Sequence, residues 1–208
     1  MAMRGLAESS AHRGGVAKRV AALAAVALGA SASWALAGGA ISGKVDATPA
    51  KYLDETVVYL KGAVGSPNPK TVDLDQKAKT FMPHVLAVAV GDTVAFLNHD
   101  TIAHNVYSPD NETYNLGNFK PGESRTFTFK TAGVYTQLCS LHPEMLAYIF
   151  VGENPYAAVV DKDGSFTIKD VPPGSYTIAV WNSHLKAADK KITVTEGKAT
   201  EVSFSVKR

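Results

Sequence analysis

The sequence predicts an all-β fold built as two sandwiches, and three observations carry that expectation. From Ala40 onward, short runs of β-branched and apolar residues alternate with Gly, Pro, Asn and Asp turn signals. No part of that region keeps the three-to-four-residue apolar spacing of a long amphipathic helix. The runs after Ala157 have their own hairpin signals but none of the metal-ligating chemistry found earlier, so the tail reads as separate from the middle of the chain.

The opening of the chain stands outside this pattern. Arg4, Arg13, Lys18 and Arg19 lead into an Ala/Val/Leu run, and Ala35-Leu36-Ala37 has the small-x-small form of a signal-peptidase site. Residues 1–37 are therefore expected to be an export signal, with the periplasm as destination. A membrane anchor is the competing reading. However, the run is broken by Gly29, Ser31 and Ser33 and falls short of the ~20 strongly apolar residues a spanning helix needs. No membrane insertion is expected after signal removal. The signal holds four of the 21 basic residues and one of the 19 acidic ones, which leaves the rest near neutrality. Nothing there suggests an electrostatic footprint for nucleic acid.

Taken in order, 41–45 and 56–60 read as the first strands, and 62–70, rich in Gly and Pro, as a linker or long turn. Segment 71–75 follows, then 80–90, whose nearly continuous apolar character suggests one strand inside a sandwich. After the Gly91-Asp92 turn come 93–97 and, beyond Asn98-His99-Asp100, a strand restarting at 104–107. Residues 108–118 read as polar and irregular. Strands at 125–129, 134–138 and 146–151 complete a sandwich expected to be antiparallel. In the tail, strands are expected around 159–160, 166–168, 176–181, 192–194 and 201–206. Asp161-x-Asp163-Gly164 starts like a calcium loop but lacks the remaining acidic ligands, so it reads as a hairpin turn.

The chemistry lies in Cys139-Ser-Leu-His142-Pro-Glu-Met145, a thiol, an imidazole and a thioether at intervals of three. Cys139 is the only cysteine, so an internal disulfide is impossible, and an exported free thiol is open to oxidation. Metal ligation would protect it; a small buried core residue is the plain alternative. Trigonal His₂Cys coordination with a weak axial thioether, the ligand set of blue-copper sites, needs a second imidazole. His104 is the best candidate. Structural zinc ordinarily uses two close pairs of Cys or His, and no second pair exists here.

His84, in Met82-Pro-His-Val, reads as a structural histidine, with an auxiliary metal role as the alternative. His99 reads as a loop residue, and His184 lies far from this chemistry in sequence. Asn111-Glu-Thr113 is formally a glycosylation sequon for which turn chemistry suffices.

Gly91-Asp-Thr-Val94, His104-Asn-Val106, Pro121-Gly-Glu-Ser124 and the Cys139 loop together resemble a cupredoxin over 70–152, with a C-x-x-H-x-x-M spacing similar to the amicyanin and pseudoazurin branch. The resemblance implies a Greek-key sandwich of about eight strands and one type 1 copper per chain, bound by His104, Cys139, His142 and Met145. It also implies that Asn105 ties the ligand loops together near the thiolate, and that the His142 ring edge reaches the surface as an electron route past Leu141 and Pro143.

The tail, through Asp163-Gly-Ser-Phe166 and Val171-Pro-Pro-Gly-Ser-Tyr176, resembles a carboxypeptidase-regulatory-like or transthyretin-like β-sandwich whose opening strands are missing. Those strands are expected at the front of the chain. Residues 39–64 and 154–208 would then form one discontinuous domain, with the copper domain inserted at a surface turn. The alternative assigns the first strands to the cupredoxin. The functional expectation is an electron carrier between redox partner proteins, not an enzyme. A copper-handling or sensing protein and a protein- or carbohydrate-binding module are the alternatives. No phosphate loop, nucleophile elbow or paired catalytic carboxylate stands out.

Overall fold

The computed structural model describes residues 38–62, 65 and 68–208; the expected export signal lies outside the described residues. The strands are β1 (Gly39–Thr48), β2 (Thr56–Lys61), β3 (Thr71–Lys77), β4 (Thr80–Met82), β5 (Val85–Ala89), β6 (Thr93–Asn98), β7 (His104–Ser108) and β8 (Tyr114–Phe119), then β9 (Ser124–Thr128), β10 (Gly133–Leu138), β11 (Leu146–Gly152), β12 (Ala157–Val159), β13 (Ser165–Val171), β14 (Gly174–Asn182), β15 (Lys190–Val194) and β16 (Ala199–Lys207). Among the described residues, a single 3-10 segment, Ala50–Glu55, interrupts the all-β pattern.

Two sandwiches result. One stacks the sheets β5-β11-β10-β7-β8 and β4-β3-β6-β9; the other stacks β13-β1-β16 and β12-β2-β14-β15. Alternation drives the packing. In β6, Val94, Phe96 and Asn98 point inward while their neighbours are only partly covered, and in β16 Val202, Phe204 and Val206 do the same. Phe81, Phe96, Phe119, Phe129 and Tyr135 fill the first core, and Ile41, Leu60, Phe166, Ile178 and Val206 belong to the second. A third apolar cluster joins the two: Val57 of β2 packs with Val85 and Phe150 of β5 and β11, flanked by Tyr59, Tyr148 and Trp181.

The structure departs from the sequence expectation in three places. The expected strand 80–90 is two strands in different sheets, β4 and β5. Pro83 lies between them; it has no N–H for a ladder, so the chain changes sheets there. The stretch expected to be irregular, 108–118, contains most of β8, which pairs with β7 across a register shift between Asn105 and Tyr107. Only its end residues Tyr114 and Phe119 are buried, so no alternating pattern marked it. The sandwiches are also not wholly antiparallel, because β1 runs parallel to β16, β3 to β6 and β5 to β11.

The ends of the segment 70–152 meet. Asp92 accepts hydrogen bonds from Lys70 N–H (3.0 Å) and Ala89 N–H (2.9 Å), and Val90 N–H donates to Gly152 O (2.9 Å). Neither β1 nor β2 pairs with a strand inside that segment: β1 joins β13 and β16, and β2 joins β12 and β14.

Candidate metal centre

Three strand ends assemble this site. His104 opens β7, Cys139 follows the last residue of β10, and Met145 precedes β11. The pairing of Leu138 with Tyr107 brings the neighbouring ends of β7 and β10 together, so residues 35 apart in sequence become neighbours. The intervening loop is closed by Met145 N–H donating to His142 O (3.0 Å). Asn105 fastens one loop to the other: its N–H donates to Cys139 Sγ (3.3 Å), and its side-chain oxygen accepts Ser140 N–H (3.3 Å). A further bond, from Asn105 Nδ2 to Asn115 Oδ1 (3.0 Å), anchors that side chain to β8.

His104, Cys139 and His142 each aim one ligating atom into a common space, and these atoms all lie within 4.8 Å of one another. His104 Nδ1 is 3.1 Å from His142 Nδ1, and Cys139 Sγ is 3.8 Å from His142 Nδ1. His104 is fully buried and Cys139 is 3% exposed, whereas His142 is half-buried. Met145, 1% exposed, belongs to the same core cluster as Cys139. Beside the partly open His142 ring, Leu141 is an exposed apolar residue, and Pro143 and Glu144 are also exposed.

The donor set fits a soft or borderline metal ion. A buried thiol with no disulfide partner and two imidazole nitrogens converge, and the sulfur receives one backbone N–H, which leaves it able to donate electron density. The donors are also held from outside. His104 Nε2 lies 3.0 Å from Asp100 Oδ2. The Lys79 N–H, then the His104 ring and the Thr101 N–H, hold the Asp100 carboxyl down at a pKa of about 2.

The other histidines lie elsewhere. His84 Nδ1 is 3.0 Å from Leu146 O and its Nε2 is 3.9 Å from Glu55 Oε1, which leaves it outside the three-residue group. His99 Nδ1 contacts Asp75 Oδ2 at 2.9 Å. His184 packs against Tyr52 in a tilted arrangement with ring centroids 4.0 Å apart, and its Nε2 is 3.7 Å from Glu55. Asn111 takes a left-handed turn conformation, and its side-chain amide donates to Val134 O. Sequence reasoning missed Asp100, which was read only as part of the Asn98-His99-Asp100 stretch that ends a strand. Its signal was a carboxylate four residues before a candidate ligand histidine.

Comparison with known proteins places this site within a recognised segment. The family model for copper binding proteins, plastocyanin/azurin family, matches residues 70–152, and that for polysaccharide lyase family 4, domain II, matches residues 152–202. Among curated proteins, the chain is similar to a chloroplastic plastocyanin of Physcomitrium patens, 34% identical over 94 residues, which make up 38% of this chain and 54% of that protein. The chain thus spans about half the length of this relative. Solved structures similar to it include a novel purple cupredoxin from Nitrosopumilus maritimus (26% identity, TM-score 0.37, 38% of this chain and 98% of that one). A copper-containing nitrite reductase from Thermus scotoductus SA-01 is another (31% identity, TM-score 0.38, 44% and 24%). The family match and the plastocyanin relative support a cupredoxin domain over 70–152, in a family that binds copper.

Proposed function

We propose that this chain is an exported type 1 copper protein that carries single electrons between redox partner proteins in the periplasm. One copper ion per chain would be held by His104, Cys139 and His142, with Met145 as a weak axial ligand. The observation that carries this reading is the convergence of the His104, Cys139 and His142 donor atoms within 4.8 Å inside the matched segment. When bound, copper supplies a one-electron couple, with the thiolate and thioether favouring Cu(I) and the imidazoles serving both oxidation states.

The chain's own part is to hold those donors still and keep water away. Strand ends fix the loop on both sides, Asn105 cross-links it, and burial of His104, Cys139 and Met145 excludes solvent. Small displacement between oxidation states is what an electron carrier requires. The half-buried His142 ring, with exposed Leu141 and Pro143 beside it, provides the contact point for a partner. We read the protein as a carrier and not an enzyme.

Adding Cu(II) to the chain lacking residues 1–37 should produce an intense thiolate-to-copper charge-transfer colour. A colourless copper complex would refute the type 1 assignment. Cys139→Ser should bind without colour, and Met145→Leu should keep the copper and the colour while shifting the reduction potential, as read by spectroelectrochemistry. Complete loss of copper from Met145→Leu would contradict the axial role. Reversible cycling with the metal retained separates electron transfer from copper delivery, in which the ion would pass to an apo acceptor.

The second sandwich is proposed to be one discontinuous, regulatory-like domain made of 39–64 and 154–208, with the copper domain inserted between them. The pairing of β1 and β2 with the tail strands, and the meeting of residues 70 and 152 beside Asp92, support this division.

A further inference from the structure

We infer that Asp100 is a positioning residue for His104: its carboxylate holds the ring in the tautomer that leaves Nδ1 free, and the β3–β4 turn sets where that carboxylate stands. His104 is fully buried, so both ring nitrogens must find partners inside the protein. Nε2 lies 3.0 Å from Asp100 Oδ2. An ionised carboxylate can only accept, so Nε2 carries the hydrogen. The lone pair of the neutral ring is then on Nδ1, the atom that faces His142 Nδ1 at 3.1 Å.

The carboxylate is itself fixed. Oδ2 also accepts the Lys79 N–H and Oδ1 accepts the Thr101 N–H, both at 2.8 Å. Asp100 N–H donates to Asn98 Oδ1 at 3.0 Å, and the buried Asn98 amide donates to Ile102 O (2.9 Å) and Phe119 O (3.1 Å). Lys79 lies on a turn of the sheet opposite the one that holds His104. It and Ala78 form the two-residue turn joining β3 to β4, with φ of +56° and +51°, values that are unfavourable for residues with a Cβ. Retained strain of this kind marks a position where the backbone has to point somewhere in particular. Here it aims the Lys79 N–H at the oxygen that holds His104. A carboxylate behind a metal-binding imidazole orients the ring and strengthens it as a donor.

The consequence for metal affinity rests on the ligand set proposed above, but the tautomer does not. Long-range proton–nitrogen NMR on the metal-free full chain reports which nitrogen of each imidazole is protonated. Wild-type His104 should carry its proton on Nε2, and Asp100→Asn and Asp100→Ala should populate the other tautomer. The affinity for Zn²⁺, a colourless probe ion, should fall ~10- to ~100-fold in both variants. A wild-type His104 protonated on Nδ1 overturns the inference without any variant having to fold. So does an Asp100→Ala protein with unchanged tautomer and unchanged affinity. Failure of the wild type to take up metal would sink the copper reading while leaving the tautomer result intact.

Discussion

At the scale of single residues, Asn105 does more than its place beside His104 suggests. Its backbone N–H reaches the Cys139 sulfur, its side-chain oxygen takes the Ser140 N–H, and its amide nitrogen reaches Asn115. The residue is 2% exposed, while the partners of its side chain, Ser140 and Asn115, are exposed and can turn to water when it is removed. Asn105→Ala is therefore expected to lower stability by about 1 kcal/mol in urea unfolding, the net worth of ordinary hydrogen bonds. The copper colour should survive, because no proposed ligand is lost and the backbone N–H bond to Cys139 Sγ is kept, but the band should shift as the Ser140 end of the loop is released. A variant as stable as the wild type with an identical spectrum would show that the cross-link is idle.

At the scale of elements, the second sandwich depends on a close approach between β1 and β16, which run parallel from Ala40–Ala199 to Thr48–Lys207. Gly43 sits opposite Val202, and a Cβ at Gly43 would stand 1.6 Å from the Val202 carbonyl oxygen and 3.1 Å from the Phe166 ring. Backbone cannot yield as a flexible side chain does. Gly43→Ala should cost at least ~2 kcal/mol, in the range of overpacking penalties, and should free β16 first in hydrogen exchange. Uniform protection across β1 and β16 in that variant would count against the tight pairing. The β4–β5 break has the same physical character: Pro83 lacks a donor, and a run that looks continuous by hydrophobicity serves two sheets.

At the scale of the whole molecule, each sandwich contributes an acid-sensitive anchor. Burial pushes the Glu112 carboxyl up, but the Lys130 and Thr131 N–H groups and the Tyr135 hydroxyl outweigh it and leave the group below its ordinary value. The Ser165 hydroxyl and the Lys44 ammonium hold Asp163 below the usual carboxylate range. Both folded values lie under the unfolded ones, so the unfolded chain binds more protons as pH falls. Their stabilisation is complete above the ordinary carboxylate range and drains away as pH drops through the folded values. The urea midpoint should therefore fall from pH 5 toward pH 2, and a Glu112→Gln, Asp163→Asn double variant should flatten that slope. An unchanged slope would remove these two carboxylates from the account. Joining the sandwiches, Val57 of β2 packs with Val85 and Phe150 and so covers part of the β5–β11 pair.

The sequence by itself determined the all-β character, most strand positions and the cluster around Cys139. Period-two burial, turn residues and a lone cysteine beside His and Met at fixed spacing are local properties that need no fold to be read. His104 was also within reach, since a site with one cysteine and one nearby imidazole calls for another donor. Tertiary structure decided what depends on pairing across distance. β8 carries only two buried residues and became a strand through its ladder to β7, and the run through Pro83 was divided by the sheets that receive it. Asp100 read only as the end of a strand, because nothing within a few residues reveals that the β3–β4 turn delivers an amide to the oxygen that His104 also reaches. A hydrogen-bonded carboxylate is defined by what surrounds it, and Lys79, its one partner distant in sequence, reaches it only through folding.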